Sequence, residues 1–271
     1  PDEPNLSQVT VRTPAPDESI EVDAVVIGSG AGGSVAAAAL AAAGRSVVVL
    51  ERAAHVTEHG FGGGELDGLA RLFLDRGLAA TADRGIAIRA GSAVGGGTVV
   101  NWNTSLRIPA AVREEWRAAG IDDDLDRHYD AVEEALSVNT HESERNGPNR
   151  VLERGLEALG LPARTIPRNA SGCGDCGPCA VGCRRGAKRS TLRTYLADAC
   201  RDGATLLDRS EARRILVENG RVAGVVAAVP GGEVTIRASA YAASNVRSAV
   251  VPPSCSRCSA TSEASKYPIA I

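Results

Sequence analysis

The 271-residue chain has no methionine, two lysines and 3% aromatic residues, so arginine carries almost all of its positive charge. Its formal net charge is −3, and the chain contains no block of basic residues. This pattern argues against a nucleic-acid-binding surface. Hydrophobic residues make up 44% of the chain, enough to bury a core in one large domain or two modest ones.

From the sequence we expect neither a targeting signal nor a membrane span. The first twenty residues are acidic and proline-rich, without the basic and apolar regions of a signal peptide, and residues 1–20 are predicted to form a flexible tail. The apolar stretch over residues 25–43 is interrupted by glycines and serines, so we do not interpret it as a transmembrane segment. The expected location is cytoplasmic, where the seven cysteines are not expected to form a disulfide framework.

The most informative feature of the sequence is an apolar strand that leads into a glycine-rich turn. Residues 25–27 form the end of the strand, and a helix is predicted over residues 31–43. Gly28 permits the tight bend, Gly30 lets a pyrophosphate approach the backbone, and Gly33 lets the helix pack close to the sheet. The amide groups and dipole of the helix N-terminus would face the phosphates. This turn therefore predicts a dinucleotide site.

The strand that follows strengthens this prediction. It is expected over residues 46–50 and ends at Glu51, whose carboxylate is placed to accept hydrogen bonds from ribose hydroxyls. A carboxylate at this position disfavours a 2′-phosphate and so argues against NADP. A second glycine-rich segment follows over residues 91–102, and it is either another backbone approach to a cofactor or a glycine-rich surface loop.

Hydrophobic periodicity and turn signals place the remaining elements. Helices are expected over residues 66–77, 125–136, 150–159 and 190–200, with Asp122, Asp123 and Asp124 as a helix-start cluster. A short strand is expected over residues 85–90. A β meander is expected over residues 204–239, with Asn219-Gly220 as a two-residue hairpin turn.

Three of these segments together resemble the glucose–methanol–choline (GMC) family of flavin oxidoreductases, and most closely its long-chain alcohol oxidase type. They are the turn at residues 28–33, the segment 91–102 and the run 182–199. Gly95-Gly96-Gly97-Thr98-x-x-Asn101 is similar to the first signature of the family. The run from Cys183 through Lys188 to Leu196 resembles its cysteine- and lysine-containing segment, whereas Ser92 departs from the basic residue or asparagine of many members.

The resemblance implies an α/β fold, namely a Rossmann-like FAD-binding domain with a β meander and an inserted helical and cysteine-rich region. The implied organisation is FAD-binding residues 21–107, an insertion at 108–189, FAD-binding residues 190–243 and an atypical tail at 244–271. The residues implied for the ADP half of FAD are Gly28, Gly30, Gly33, Glu51 and Arg52. Those implied for the flavin side are Gly95, Gly96, Thr98 and Asn101.

The resemblance further implies oxidation of a CH–OH group of a small-molecule alcohol, a long-chain or hydrophobic one by subgroup, with hydride transfer to the flavin. The electron acceptor is left open. The catalytic histidine of the family lies far toward the C-terminus, and none of His55, His59, His128 and His141 matches it, so all four are interpreted as surface residues. The match ends near residue 240, and we expect a truncated or frameshifted product.

The cysteine loop is the least determined part of the sequence. Cys173, Cys176, Cys179 and Cys183 have the spacing of a ferredoxin-type cluster run and are candidate ligands of a [4Fe–4S] cluster or a zinc ion. A loop without metal is the preferred interpretation, and the Cys255/Cys258 pair is considered accidental. Lys188 is either a positive charge near the flavin or a solvated loop lysine.

Three functions therefore stay open: an FAD-dependent alcohol-oxidising enzyme, a flavin and iron–sulfur electron-transfer protein, and an inactive fragment.

Overall fold

A computed structural model describes residues 8–121, 125–142 and 146–243 of the chain, with the side chains of 241–243 left aside. Three sequence predictions lie outside these residues. They are the aspartate cluster at 122–124, the atypical tail at 244–271 with its cysteine pair, and the first seven residues of the expected flexible tail.

Strands and helices alternate along the described residues. In chain order the strands are β1 (Val11–Arg12), β2 (Ser19–Ile27), β3 (Val47–Leu50), β4 (Val138–Asn139), β5 (Arg168–Asn169), β6 (Thr205–Leu207), β7 (Glu211–Glu218), β8 (Arg221–Val229) and β9 (Gly232–Ala243). The helices are α1 (Ala31–Ala42), α2 (Glu65–Leu72), α3 (Ala110–Ala118), α4 (Leu125–Ala135), α5 (Gly147–Ala158) and α6 (Tyr195–Arg201). Short 3-10 turns are Glu58–Gly60, Leu74–Gly77, Gly96–Thr98, Cys179–Val181 and Thr191–Arg193.

Seven of the strands form one sheet in the order β1-β6-β3-β2-β9-β8-β7. The first five are mutually parallel, and β7, β8 and β9 are joined antiparallel. This confirms the predicted α/β class. β3, which follows β2 in the chain through α1, pairs with one edge of β2, whereas β9 pairs with the other edge of β2. In sheets of this kind ligands bind at the carboxyl ends of the strands where such a switch occurs.

The central strands are apolar throughout because both of their faces are covered. Val26 and Val49 face a buried cluster that includes residues of α1 and α6, and these two helices pack against each other. Val25 and Val48 face a second buried cluster formed with β8 and β9. This two-sided burial fixes the register of β2 and β3, and so fixes the place where the glycine-rich turn begins.

Several predicted elements are confirmed, including α1, β3, α4, α5 and the hairpin between β7 and β8. Asn219 and Gly220 both have positive φ angles, 52° and 74°, as a type I′ turn requires. The prediction of a flexible tail is wrong for residues 8–20, because β1 pairs with β6 and the backbone amide of Asp17 donates to the carbonyl of Glu233. Only β7, β8 and β9 form a meander, since β6 lies on the far side of β3.

Two helices and one strand also differ from the expectation. The predicted helix over 66–77 ends at Leu72, because Phe73 is extended with φ −119° and ψ 149°, and Asp75 and Arg76 beyond it have positive φ angles. Residues 85–90 form no strand and make a single bridge, Ala80 to Ala87. The helix expected from residue 190 begins at Tyr195, after a 3-10 turn, and Ser190 makes no side-chain cap.

The inserted region lies on the surface. None of the residues of α3, α4 and α5 within the described chain is buried, and α5 is capped at its start by Asn146, whose side chain accepts the amide of Asn149. A two-stranded ladder of β4 and β5 lies beside the cysteine loop. In the part of the chain that the structure describes, no helix is both long and apolar enough to cross a bilayer.

Candidate functional site

The glycine-rich turn follows β2 directly, at the carboxyl edge of the sheet. Gly28 has a φ of 93°, and its amide donates to the carbonyl of Leu50, which ties the turn to the end of β3. A Cβ at Gly33 would lie 1.9 Å from the carbonyl oxygen of Gly28, so glycine is required for the contact between α1 and β2. A Cβ at Gly30 would meet no atom within 4 Å, so the space in front of this residue is open.

The acid at the end of β3 lies beside this turn. Glu51 is 8% exposed, and its Oε2 accepts hydrogen bonds from the Ser29 hydroxyl at 2.6 Å and the Ser29 amide at 3.2 Å. Its Oε1 accepts a single bond, from the amide of Ala53 at 2.9 Å. A carboxylate has about four lone-pair sites, so Oε1 keeps the capacity to accept a ribose hydroxyl. Arg52, predicted as its neighbour in the site, is exposed.

The fold brings the second glycine-rich segment onto the first. A Cβ at Gly96 would lie 3.0 Å from the Cα of Gly30, so the two backbones are in close contact. The amide of Gly95 donates to the Ser29 hydroxyl at 3.0 Å. This contact argues against the surface-loop alternative, and a cofactor site shared by the two segments stays a prediction.

Thr98 and Asn101 make internal contacts in the structure. The Thr98 hydroxyl lies 2.6 Å from the carbonyl of Gly95 and 2.9 Å from the Thr191 hydroxyl, and it accepts the Thr191 amide. Asn101 is exposed, and its Oδ1 accepts the amide of Asn103 at 3.0 Å. Both residues thus shape the segment, and their direct contact with a flavin stays a prediction.

Lys188 is not the solvated lysine that one interpretation of the sequence proposed. It is 2% exposed, and its Nζ donates to the carbonyls of Val99, Asn101 and Cys179, each at 2.7 Å. Burial lowers its pKa to about 8, because the charged form loses water. The side chain joins the second glycine-rich segment to the cysteine loop.

The four candidate cysteines of the loop, Cys173, Cys176, Cys179 and Cys183, contact protein groups in the structure. Among the residues that the structure describes, no group of three or more His, Cys, Asp or Glu side chains could hold a metal ion. The sulfurs of Cys173 and Cys179 both accept from Nη2 of Arg168, at 3.8 and 3.6 Å, and Cys183 accepts the amide of Lys188. Cys176 is exposed. The assignment of these four cysteines as ligands of a [4Fe–4S] cluster or a zinc ion stays a prediction.

Hydrogen bonds from Glu142 hold the start of the cysteine loop. Glu142 accepts the amides of Gly172 and Cys173, both at 2.8 Å, and these bonds lower its pKa because they favour the carboxylate. Burial raises the pKa of the Cys179 thiol. These contacts stabilise the loop, and the raised pKa favours the protonated form of the Cys179 thiol.

One histidine was wrongly expected at the surface. His55 is half-buried, its Nε2 makes no hydrogen bond within the described residues, and burial lowers its pKa below 6.5. Its amide donates to Asp208, a buried acid at the end of β6. His59, His128 and His141 are exposed, as predicted.

Sequence reasoning also missed a buried ion pair beside the site. Arg193, 8% exposed, contacts Glu58, 1% exposed, at 2.9 Å. The two residues are 135 positions apart, and nothing in the local sequence of either indicates the other. Ser29 was missed as well, because the glycine spacing of the turn leaves its position free.

The fold and the paired glycine-rich segments define a Rossmann-type α/β domain with a nucleotide-binding turn at the carboxyl edge of its sheet. Residues 22–251 match the GMC oxidoreductase family, and the chain belongs to that family. The match extends beyond residue 240, where the resemblance was expected to end.

Curated relatives and solved structures agree with this assignment. The chain is 40% identical over 229 residues to a long-chain-alcohol oxidase of Arabidopsis thaliana, FAO4B, covering 79% of this chain and 31% of that protein. It is 40% identical over 237 residues to an uncharacterized GMC-type oxidoreductase of Mycobacterium tuberculosis, covering 83% of this chain and 37% of that protein. Pyridoxine 4-oxidase from Mesorbium loti shares the fold, with a TM-score of 0.56 at 17% identity over 82% of this chain and 48% of that one. The chain thus spans about a third of the length of the curated relatives it matches.

Proposed function

We propose that this chain forms the FAD-binding part of an FAD-dependent oxidoreductase that oxidises the CH–OH group of an alcohol. The observation that carries the proposal is the close contact between the two glycine-rich segments, with Gly96 against Gly30 and with Glu51 beside them. FAD, when bound, supplies the hydride acceptor. Family membership and the alcohol oxidases among the relatives support the reaction class.

Each part of the turn has a separate task in this proposal. The open space at Gly30, together with the N-terminus of α1, would receive the pyrophosphate, since backbone amides and the helix dipole favour negative charge there. Glu51 would accept a ribose hydroxyl on Oε1, where one bond is already made. The segment from Gly95 to Asn101 would then lie along the flavin side of the cofactor.

We propose a long-chain or hydrophobic alcohol as the substrate class, by likeness to the Arabidopsis relatives. No residue of this chain by itself identifies the substrate as a long-chain or hydrophobic alcohol. We assign no catalytic base to the described residues, and His55 is no candidate because its ring nitrogen Nε2 is buried. A cytoplasmic location also stays a prediction.

The experiment is an FAD titration of the purified chain, followed by the absorption spectrum and flavin fluorescence. Gly30→Val should abolish binding without unfolding the protein, because the new side chain enters the open space and its Cβ meets no protein atom within 4 Å. Gly64→Val is the matched control. Gly64 also precedes a helix with a negative φ, −56° against −67° for Gly30, and a Cβ there also meets nothing within 4 Å.

The outcomes separate the parts of the proposal. A two-banded flavin spectrum in the wild type and the Gly64 variant, and none in the Gly30 variant, supports FAD binding at this turn. A wild-type chain that stays colourless with added FAD contradicts it. Bleaching of the flavin band by a long-chain alcohol without oxygen supports the substrate class, and bleaching only by small polar alcohols contradicts that class. A brown absorbance with bound iron and sulfide would instead support the electron-transfer alternative.

A further inference from the structure

The buried ammonium of Lys188 is the unusual group outside the glycine-rich turn. Lys188 is the largest of the fully buried side chains of the described residues. Lysine is rarely buried to this extent unless its charge is fully compensated. The small cavity beside it is lined by the apolar side chains of Phe61 and Leu192, and by Glu58, whose carboxylate pairs with Arg193.

Three backbone carbonyls provide that compensation. An ammonium group has three donors, and those of Lys188 reach the carbonyls of Val99, Asn101 and Cys179 at 2.7 Å each. Hydrogen bonds from a charged donor are roughly twice as strong as those between neutral groups. All three donors are therefore used, and all three point at main chain.

The position of these carbonyls shows which part of the chain the ammonium of Lys188 holds. Val99 follows the 3-10 turn Gly96–Thr98, and Asn101 lies two residues further along. Two carbonyls of one short segment converge on a single nitrogen atom, which fixes the path of the chain behind the residues that contact Gly30. On its other side the segment is held by the bonds of Thr98 to Gly95 and Thr191, and by the Gly95 amide, which donates to Ser29. The ammonium is thus a three-point anchor for the back of the segment.

We propose that Lys188 is a positioning residue that holds the segment from Gly95 to Asn101 in the conformation that receives FAD. This inference rests on the proposed function for its second half, which concerns the cofactor. Its first half, the anchoring of the segment, concerns the protein alone. The third bond, to Cys179, makes the cysteine loop the fixed support against which the segment is held.

The first measurement is hydrogen–deuterium exchange on the full chain without FAD. Lys188→Met keeps the length and apolar character of the side chain and removes all three donors. Lys188→Gln keeps two donors without charge. Exchange in peptides covering residues 95–103 should accelerate at least about tenfold in Lys188→Met and less in Lys188→Gln, because charged hydrogen bonds to buried carbonyls are lost.

A control separates local release from general loss of stability. Ile236→Ala removes a fully buried side chain from the sheet, in the cluster on the opposite face from α1. It should lower the melting temperature without preferential exchange in residues 95–103. Equal exchange of that segment in the Lys188 variants and in Ile236→Ala would overturn the inference, as would no change in either Lys188 variant.

The second measurement is the FAD dissociation constant and the visible spectrum of the bound flavin, at a temperature where every variant is folded. We expect affinity to fall at least about tenfold in Lys188→Met, with an intermediate loss in Lys188→Gln and a changed band shape, while Ile236→Ala binds as the wild type does. Wild-type affinity and spectrum in Lys188→Met would overturn the inference and leave the proposed function intact. Absence of FAD binding in the wild type would overturn the proposed function, and the exchange experiment would still decide the anchoring.

Discussion

Gly33→Ala tests whether the first turn of α1 packs against β2 as closely as the structure shows. The added Cβ would lie 1.9 Å from the carbonyl oxygen of Gly28 and 3.3 Å from Cγ1 of Val26, whereas ordinary contact begins near 3.4 Å. The nearer atom is backbone, and Val26 is fully buried in the central strand. No side-chain rotation can relieve the contact, so α1 must move away from the sheet.

The magnitude follows from what that movement disturbs. Overpacking of a well-packed core costs about 1–3 kcal/mol, and a displaced backbone brings the value to the upper end, about 3 kcal/mol. For a domain of this size the melting temperature falls by about 2–4 °C per kcal/mol, which predicts a decrease of about 10 °C. Urea denaturation followed by circular dichroism measures the free energy of unfolding directly.

Gly30→Ala is the matched control for this experiment. It lies three residues earlier in the same turn, has a φ of −67°, and its added Cβ meets no protein atom. We expect its free energy of unfolding to stay within about 0.5 kcal/mol of the wild type. A wild-type urea midpoint for Gly33→Ala would refute the packing argument, and an equal loss in Gly30→Ala would refute the open space at that residue.

Two further predictions concern buried charge. Arg193→Leu should lower the free energy of unfolding by about 3 kcal/mol, measured by urea denaturation, because the buried carboxylate of Glu58 loses a cation at 2.9 Å; a change below about 1 kcal/mol would contradict this. The lowered pKa of His55 means that the folded state binds fewer protons than the unfolded chain, so this contribution to stability is present above pH 6.5 and is lost as pH falls below it. The melting temperature of His55→Leu should therefore fall less than that of the wild type between about pH 7 and about pH 5, and parallel curves would contradict the assignment.

The glycine-rich turn could be predicted from sequence because its geometry is local. The roles of Gly28 and Gly33 depend on a bend and a contact within a few residues, and both are present. The same holds for the hairpin at Asn219-Gly220. The α/β class was implied by the family resemblance, and the apolar strands around α1 agree with it, since two covered faces leave little room for polar residues.

What the sequence could not predict depends on contacts between distant residues. Lys188 is buried because it meets carbonyls that lie 87 and 89 positions away, and no local pattern encodes that meeting. The strand at Val11–Arg12 forms because it pairs with β6, a strand that lies almost 200 positions further along the chain. The cysteine spacing is compatible with a metal centre but does not require one. It also does not show that Arg168 and the amide of Lys188 lie against the thiols, because those contacts depend on the fold.

Ser29 shows how the two halves of the proposed site depend on each other. Its hydroxyl donates to Glu51 at 2.6 Å and accepts the amide of Gly95 at 3.0 Å, so one oxygen atom joins the acid of the ribose side to the segment of the flavin side. A hydroxyl can donate one bond and accept two, and this one does both inside a buried environment, where a lost partner is costly. The glycines permit close approach of a ligand, but they cannot hold two segments in register. In this chain that task belongs to polar side chains, with Ser29 in front of the second segment and Lys188 behind it.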